Sequence, residues 1–252
     1  TNVEGTKNIL DFIEKNNQIK KFVFFSSVAT YGNSEKGKDE NSVQLPFSDY
    51  GKSKLRAEEL IKLWHLKNEK IQLIIVRPAV VFGEYNFGNV FNLINQINSG
   101  AFAVIGDGKN IKSIAYVGNL VDSVMYCLKK IDDKQFIYNY CDYPQQNIAS
   151  QSISISKLLN KSKPIKIPFW LTKIFTLPVD LIQKLIGKDL KLNSIRVKKF
   201  TTPTFFISDK IRQRGFKQNI SIENSYKRTI QWIKNNNTKE LRDIVYKKAS
   251  KL

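Results

Sequence analysis

The sequence predicts an α/β chain built on an open parallel sheet, and three observations carry that expectation. Residues 20–25 are a short apolar run that leads straight into Ser26-Ser27-Val28-Ala29-Thr30-Tyr31-Gly32. Residues 50–67 carry helical apolar spacing, and Ile71-Gln72-Leu73-Ile74-Ile75-Val76 is a second buried run, ended by Arg77-Pro78. Strand, helix and strand in that order make a parallel crossover. Hydroxyls therefore stand at a strand's carboxyl end, the edge at which open parallel sheets bind ligands.

The other elements fall in place around this unit. Residues 2–15 and 117–129 read as amphipathic helices and residues 135–140 as a further strand. Residues 86–100 contain a helix over 90–98 that precedes Gly106-Asp107-Gly108. Those two glycines open no long helix, so they read as hairpin chemistry and not as a phosphate loop. Beyond residue 150 the pattern is less regular until residues 209–232, where Gly215-Phe216 precedes an amphipathic helix. The expected division is 1–150, with an insertion at about 84–112, and 151–252.

Composition narrows the function classes. With 42% hydrophobic residues the chain has ample core, and its net charge of +19 raises nucleic-acid binding as a question. The lysines are scattered among Asn and Ile with no recognition-helix motif or zinc spacing, so nucleic acid is not an expected partner. Cys127 and Cys141 read as reduced core thiols, and His65, the single histidine, has no paired ligand, so no metal site is expected. Residues 166–188 form a basic apolar run, Ile167-Pro168-Phe169-Trp170-Leu171 onward, interrupted by Pro178 and Asp180. Such a run reads as a pair of helices or as a peripheral membrane contact, and is too polar to span a bilayer.

The chemistry centres on Tyr50-Gly51-Lys52-Ser53-Lys54. Residues i and i+4 are neighbours on a helix surface, so the Tyr50 phenol and the Lys54 ammonium share one face. A nearby positive charge favours the phenolate, which makes the pair a candidate general base near neutrality.

Asn2-Val3-Glu4-Gly5-Thr6, the Ser26–Gly32 segment, Tyr50 to Lys54, Arg77-Pro78 to Phe82-Gly83, Gly106-Asp107-Gly108 and Tyr116-Val117-Gly118-Asn119-Leu120 stand in an order and spacing that resemble one family. It is the extended short-chain dehydrogenase/reductase superfamily, in its NAD-dependent nucleotide-sugar epimerase/dehydratase branch and UDP-glucose 4-epimerase-like subgroup. The resemblance covers nearly the whole chain. It implies a Rossmann-like doubly wound parallel sheet and a smaller carboxyl-terminal substrate lobe. The family's glycine-rich dinucleotide loop has no counterpart here, which reads as a chain missing the first half of that domain.

What the resemblance implies can be carried over position by position. Tyr50 is the acid/base at a sugar hydroxyl, Lys54 lowers its pKa and holds the nicotinamide ribose, and Ser27 bonds the same sugar oxygen. Asn2, Pro78 and Ala79 join Ser27, Tyr50 and Lys54 at the cofactor, NAD with NADP left open; for Asn2 the alternative is an ordinary helix cap. Asn89, at a helix start, and Lys112, where relatives place an arginine, face the substrate diphosphate. Two departures matter. Dehydratases carry an acidic pair after the catalytic hydroxyl, where this chain has Val28-Ala29, and Val80 replaces a substrate-contacting asparagine. The implied activity is C4 epimerisation of a UDP-hexose or UDP-N-acetylhexosamine through a 4-keto intermediate, in the cytoplasm, for surface polysaccharide. The alternatives are an NAD(P)H-dependent UDP-4-keto-6-deoxy-sugar reductase and a noncatalytic sugar-nucleotide or membrane-interface module. A homodimer through helices 2–15 and 50–67 is implied by the same likeness.

Overall fold

A computed structural model describes residues 2–16, 18–172, 174 and 194–249. The chain divides into two compact units, one of residues 1–82, 113–144 and 205–222, the other of residues 83–112, 145–204 and 223–252.

The first unit is organised by strand β3 (Gln72–Pro78), which pairs in parallel on one side with β1 (Lys21–Phe25) and on the other with β7 (Gln135–Tyr140). Leu73, Ile74, Ile75 and Val76 are completely buried, as a central strand of a two-sided sheet requires. Alternate residues serve opposite faces. Leu73 and Ile75 pack with Leu10 of α1 (Asn2–Glu14) and Ile61 of α2 (Asp49–His65). Ile74 and Val76 pack with Leu120, Val124 and Cys127 of α4 (Val117–Lys130), and with Ile211 and Phe216. Helices thus cover both faces, and the expected doubly wound α/β arrangement is present.

Two buried polar clusters fix this frame. Glu58 of α2 is fully buried and receives Arg77 Nη2 at 2.6 Å and Arg77 Nε at 2.9 Å. Arg77 Nη1 donates to Tyr31 Oη at 2.6 Å, and Tyr31 Oη donates to Asn139 Oδ1 at 2.8 Å. Ser26 Oγ also donates to Glu58. One ion pair thereby links the ends of β1, β3 and β7 to the middle of α2. Burial alone would raise the Glu58 carboxyl, but the bonds from Arg77 outweigh it and hold it below the usual range. Burial pushes the Tyr31 phenol up to about 12, despite Arg77 beside it. The second cluster is Asp142, whose Oδ2 accepts from Tyr116 N–H at 2.8 Å and whose Oδ1 accepts from Asn119 Nδ2 at 3.2 Å. Asn119 in turn exchanges bonds with the backbone of Ile220, at 2.8 and 3.1 Å. Burial raises the Asp142 carboxyl to about 6.

Several expectations change at the edges of this frame. The segment after Gly32 contains a strand that apolar periodicity does not reveal, β2 (Ser34–Lys38, Ser-Glu-Lys-Gly-Lys), which pairs with β9 (Thr204–Phe206). A further short pair, β4 (Val80–Phe82) with β6 (Ile114–Tyr116), is parallel. In the second unit, β5 (Val104–Ile105) pairs in parallel with β8 (Lys166–Ile167). The turn at Gly106 and Gly108, both at positive φ, therefore does not close a hairpin as its composition suggests. Strand pairing with a segment sixty residues away overrides the local turn signal.

The other elements among the described residues of the second unit are helices. Helix α3 (Asn89–Asn98) packs with α5 (Ile148–Leu158). Helices α6 (Ser194–Thr201), α8 (Ile222–Asn235) and α9 (Thr238–Ala249) follow, and a five-residue α7 (Asp209–Gln213) belongs to the first unit. The expected helix in residues 209–232 is α8. Its Trp232 rests against Tyr85 and Phe87, with ring centroids 5.1 and 5.7 Å away. His65 is buried at the end of α2 with Nε2 2.9 Å from Ile71 O, a packing role.

The Glu58–Arg77 pair generates a testable expectation. Glu58→Gln or Arg77→Met alone leaves a buried polar partner uncompensated and should cost about 3–5 kcal/mol, whereas Glu58→Leu with Arg77→Met together should cost much less. Urea unfolding of the four proteins measures this. Because the folded Glu58 pKa is depressed, its contribution is present above the unfolded glutamate value and is lost as pH falls through the folded one. Wild type should therefore lose more stability on acidification than the double variant.

Candidate active site

The carboxyl end of β1 is where the sequence-predicted groups gather. Phe25 is level with Val76 in the β1–β3 ladder, and Ser26 N–H continues it by donating to Val76 O at 2.8 Å. Ser26 and Ser27 thus stand beside Arg77 and Pro78 at one edge. Ser27 has extended backbone, φ −163° and ψ 149°, and caps the short 3₁₀ turn Val28–Tyr31 by accepting from Ala29 N–H at 3.1 Å. A capping hydroxyl keeps its own proton, so Ser27 can still donate to a bound oxygen. Ser26, by contrast, is committed to Glu58.

Helix α2 starts against that turn. Ser48 caps it by accepting from Gly51 N–H at 3.1 Å. A Cβ on Gly51 would lie 2.5 Å from Ala29 O and 2.9 Å from Pro46 Cβ, so only glycine lets the first turn of α2 lie on the serine turn. Tyr50 precedes it and is 52% exposed, a phenol accessible from solvent in that same first turn. One turn on, Lys54 Nζ donates to Phe25 O at 2.8 Å and stands 5.1 Å from the centre of the Phe24 ring. Its ammonium is thereby fixed two residues before Ser27. Burial lowers the Lys54 pKa from the ordinary lysine value, against the opposing pull of Glu58.

The remaining predicted positions divide. Asn2 Nδ2 donates to Ser53 Oγ at 2.9 Å, and Ser53 Oγ donates to Tyr50 O at 2.9 Å, so the Asn2 amide ties α1 to the tyrosine turn. Pro78 and Ala79 are buried at the end of β3, with Ala79 N–H donating to Tyr140 O at 2.8 Å. Asn89 and Lys112 lie in the second unit. Asn89 is exposed in the first turn of α3, and Lys112 Nζ donates to Thr202 O at 2.6 Å. The structure brings Ser27, Tyr50 and Lys54 together with Pro78 at one sheet edge. Val28 is buried beside them and Ala29 is apolar, so neither position after Ser27 offers a proton.

Sequence reading missed Glu58, Tyr31 and Asn139 as the support of this edge. The signal available was a carboxylate on the inner stripe of α2, one turn beyond Lys54 and flanked by the buried Ala57 and Ile61, together with an arginine ending an apolar strand.

An open parallel sheet with a Ser, Tyr and Lys at its carboxyl edge defines an α/β enzyme of the dinucleotide-binding type. The chain belongs to the NAD dependent epimerase/dehydratase family, whose model matches residues 1–141. It is 40% identical over 233 residues to the N-acetyl-alpha-D-glucosaminyl-diphospho-ditrans,octacis-undecaprenol 4-epimerase of Escherichia coli O157:H7, covering 92% of this chain and 70% of that one. A UDP-glucose 4-epimerase of Vibrio cholerae is 26% identical over 62% of this chain and 49% of its own length. Among solved structures, UDP-glucuronic acid 4-epimerase from Bacillus cereus in complex with NAD superposes with a TM-score of 0.70 at 19% identity, over 93% of this chain and 68% of that one. UDP-N-acetylglucosamine 4-epimerase from Methanobrevibacter ruminantium M1 gives 0.68 at 20% identity, over 93% and 69%.

The contact at Gly51 can be tested directly. Gly51→Ala forces a methyl onto the Ala29 carbonyl and should destabilise the protein by about 1–3 kcal/mol, the usual penalty of overpacking. Lys52→Ala, one residue on at an exposed position, should change stability by less than about 0.5 kcal/mol. Thermal or urea unfolding distinguishes the two.

Proposed function

We propose that this chain carries the catalytic residues of an NAD-dependent 4-epimerase acting on a sugar diphosphate, with a UDP-hexose or UDP-N-acetylhexosamine as substrate. The observation that carries the reading is the edge of β1, where Lys54 is fixed on Phe25 O and the Tyr50 turn packs on the Ser27 turn. The donor set suits the family's cofactor, since an ammonium and two hydroxyls at a sheet edge match a ribose and a reacting sugar hydroxyl. The chemistry that bound NAD would supply is reversible hydride exchange with the sugar carbon, without net consumption of cofactor.

Within that scheme Tyr50 Oη takes the proton from the C4 hydroxyl and gives it back to the 4-keto oxygen. Ser27 Oγ donates to that oxygen and orients it. Lys54, held on Phe25 O, is assigned to the nicotinamide ribose. Asn2 acts by holding the tyrosine turn through Ser53. Asn89 and Lys112 are assigned to the diphosphate. The E. coli relative is named for a polyprenol-linked sugar, and the shared feature of both carriers is a sugar-1-diphosphate. The absence of an acidic pair after Ser27 favours epimerisation over dehydration.

Further parts of the proposal concern surroundings. A homodimer through α1 and α2 is supported by Ile9, Phe12, Leu63 and Leu66, all exposed on these helices. A cytoplasmic setting is supported by Cys127 and Cys141, both buried and unpaired. Peripheral membrane contact in residues 166–188 is supported by exposed Phe169, Trp170 and Ile174; residues 173 and 175–188 lie outside the described ones. Among the described residues no helix is long and apolar enough to cross a membrane.

In protein expressed from the complete gene, Tyr50→Phe should lower turnover at least about a hundredfold while KM changes much less. Ser27→Ala should also lower turnover, and Lys54→Met should weaken both turnover and cofactor retention. The activity itself is read by interconversion of UDP-glucose with UDP-galactose, of their N-acetyl forms, and of polyprenyl-diphosphate N-acetylglucosamine, all without added reductant. Failure with every pair, together with consumption of reduced cofactor on a UDP-4-keto sugar, would replace the epimerase by a reductase.

A further inference from the structure

We infer that α9, the last of the described helices, is an interfacial helix that seats the protein on an anionic lipid surface. Its start is well specified. Leu241 N–H donates to Asn237 O at 3.1 Å, Glu240 N–H to Asn237 Oδ1 at 3.4 Å, and Asn237 Nδ2 donates back to Glu240 Oε2 at 3.1 Å. This is a reciprocal cap that commits the segment to helix. Leu241, Ile244 and Val245 then fall within about 100° of the helix circumference, an apolar stripe.

That stripe is only partly covered. Leu241 is half-buried, whereas Ile244 is 44% and Val245 42% exposed, and every residue from Arg242 to Tyr246 is exposed. A helix of twelve residues is marginal in water when its apolar face has no partner. Some surface must complete it.

Charge decides which. Residues 234–252 carry six cations, Lys234, Lys239, Arg242, Lys247, Lys248 and Lys251, against Glu240 and Asp243. At about 100° per residue, position 242 lies beside the stripe and position 243 falls behind it. The Arg242 guanidinium lies 5.5 Å from the centre of the Tyr246 ring, a cation and an aromatic group at the level where headgroups meet acyl chains. A second copy seated on the same stripe would set Arg242 and the neighbouring lysines against their own copies. An anionic bilayer supplies the opposite charge and an apolar layer beneath it. This anchor is separate from residues 166–188 and does not depend on the sugar chemistry.

The test is flotation of the full chain with phosphatidylcholine vesicles, with and without phosphatidylglycerol. Binding is expected only with the anionic lipid and should weaken at high salt. Ile244→Ser with Val245→Ser should cut the bound fraction at least about tenfold, while circular dichroism stays native and the control Val121→Ser, at an exposed position of α4, binds as wild type does. Absent binding, equal binding to neutral vesicles, or undiminished binding by the double variant would overturn the inference. So would a change of oligomeric state in the double variant by analytical ultracentrifugation, since a second copy would then be what covers the stripe.

Discussion

The first unit depends on one buried ion pair. Glu58 and Arg77 come from a helix and a strand that the hydrophobic effect alone would hold together in many registers. Their bonds select one. Arg77 extends the selection to Tyr31 and through it to Asn139, so the turn after β1 and the end of β7 share the same anchor. Removing two charges from water is costly, and such a pair contributes more to uniqueness than to net stability. The uniqueness falls where chemistry needs it, because Glu58 lies one helical turn from Lys54 and also binds Ser26, next to Ser27.

Two general bonding rules explain the rest of the edge. A strand that ends leaves backbone carbonyls unsatisfied, and Lys54 occupies one of them. A helix that begins leaves N–H groups unsatisfied, and Ser48 and Ser27 each satisfy one. Candidate catalytic side chains are thus held by the repair of ordinary chain ends. The positions of Ser27 and Lys54 follow from secondary-structure boundaries, and these are set by sequence within a few residues.

The sheet strands and main helices were legible because their apolar spacing is strong: β7 and α1, α2 and α4 lie within two residues of the expected ends. Ser27, Tyr50 and Lys54 were legible for a different reason, since their types and intervals state a chemistry. β2 was not, because Ser34 to Lys38 has neither alternation nor apolar content; it is a strand only because β9 pairs with it. The Gly106 turn misled because local conformation is set by the glycines while pairing is set by a partner far along the chain. Glu58 was overlooked because a carboxylate on a lysine-rich helix reads as solvated until Arg77 is placed opposite it.

The composition of the first unit from three separated stretches also orders its assembly. Ile211 and Phe216, which close the α4 face of the sheet, and the Ile220 backbone that Asn119 grips, all come from the third stretch. A nascent chain that has emerged only as far as residue 204 can pair β1, β3 and β7 and lay α4 on them, yet lacks the Ile211 and Phe216 that complete that face. The sheet must wait, partly open, while the second unit's residues 145–204 are made. Contacts of such long sequence separation form slowly, so this interval is where the protein most needs protection from aggregation during synthesis.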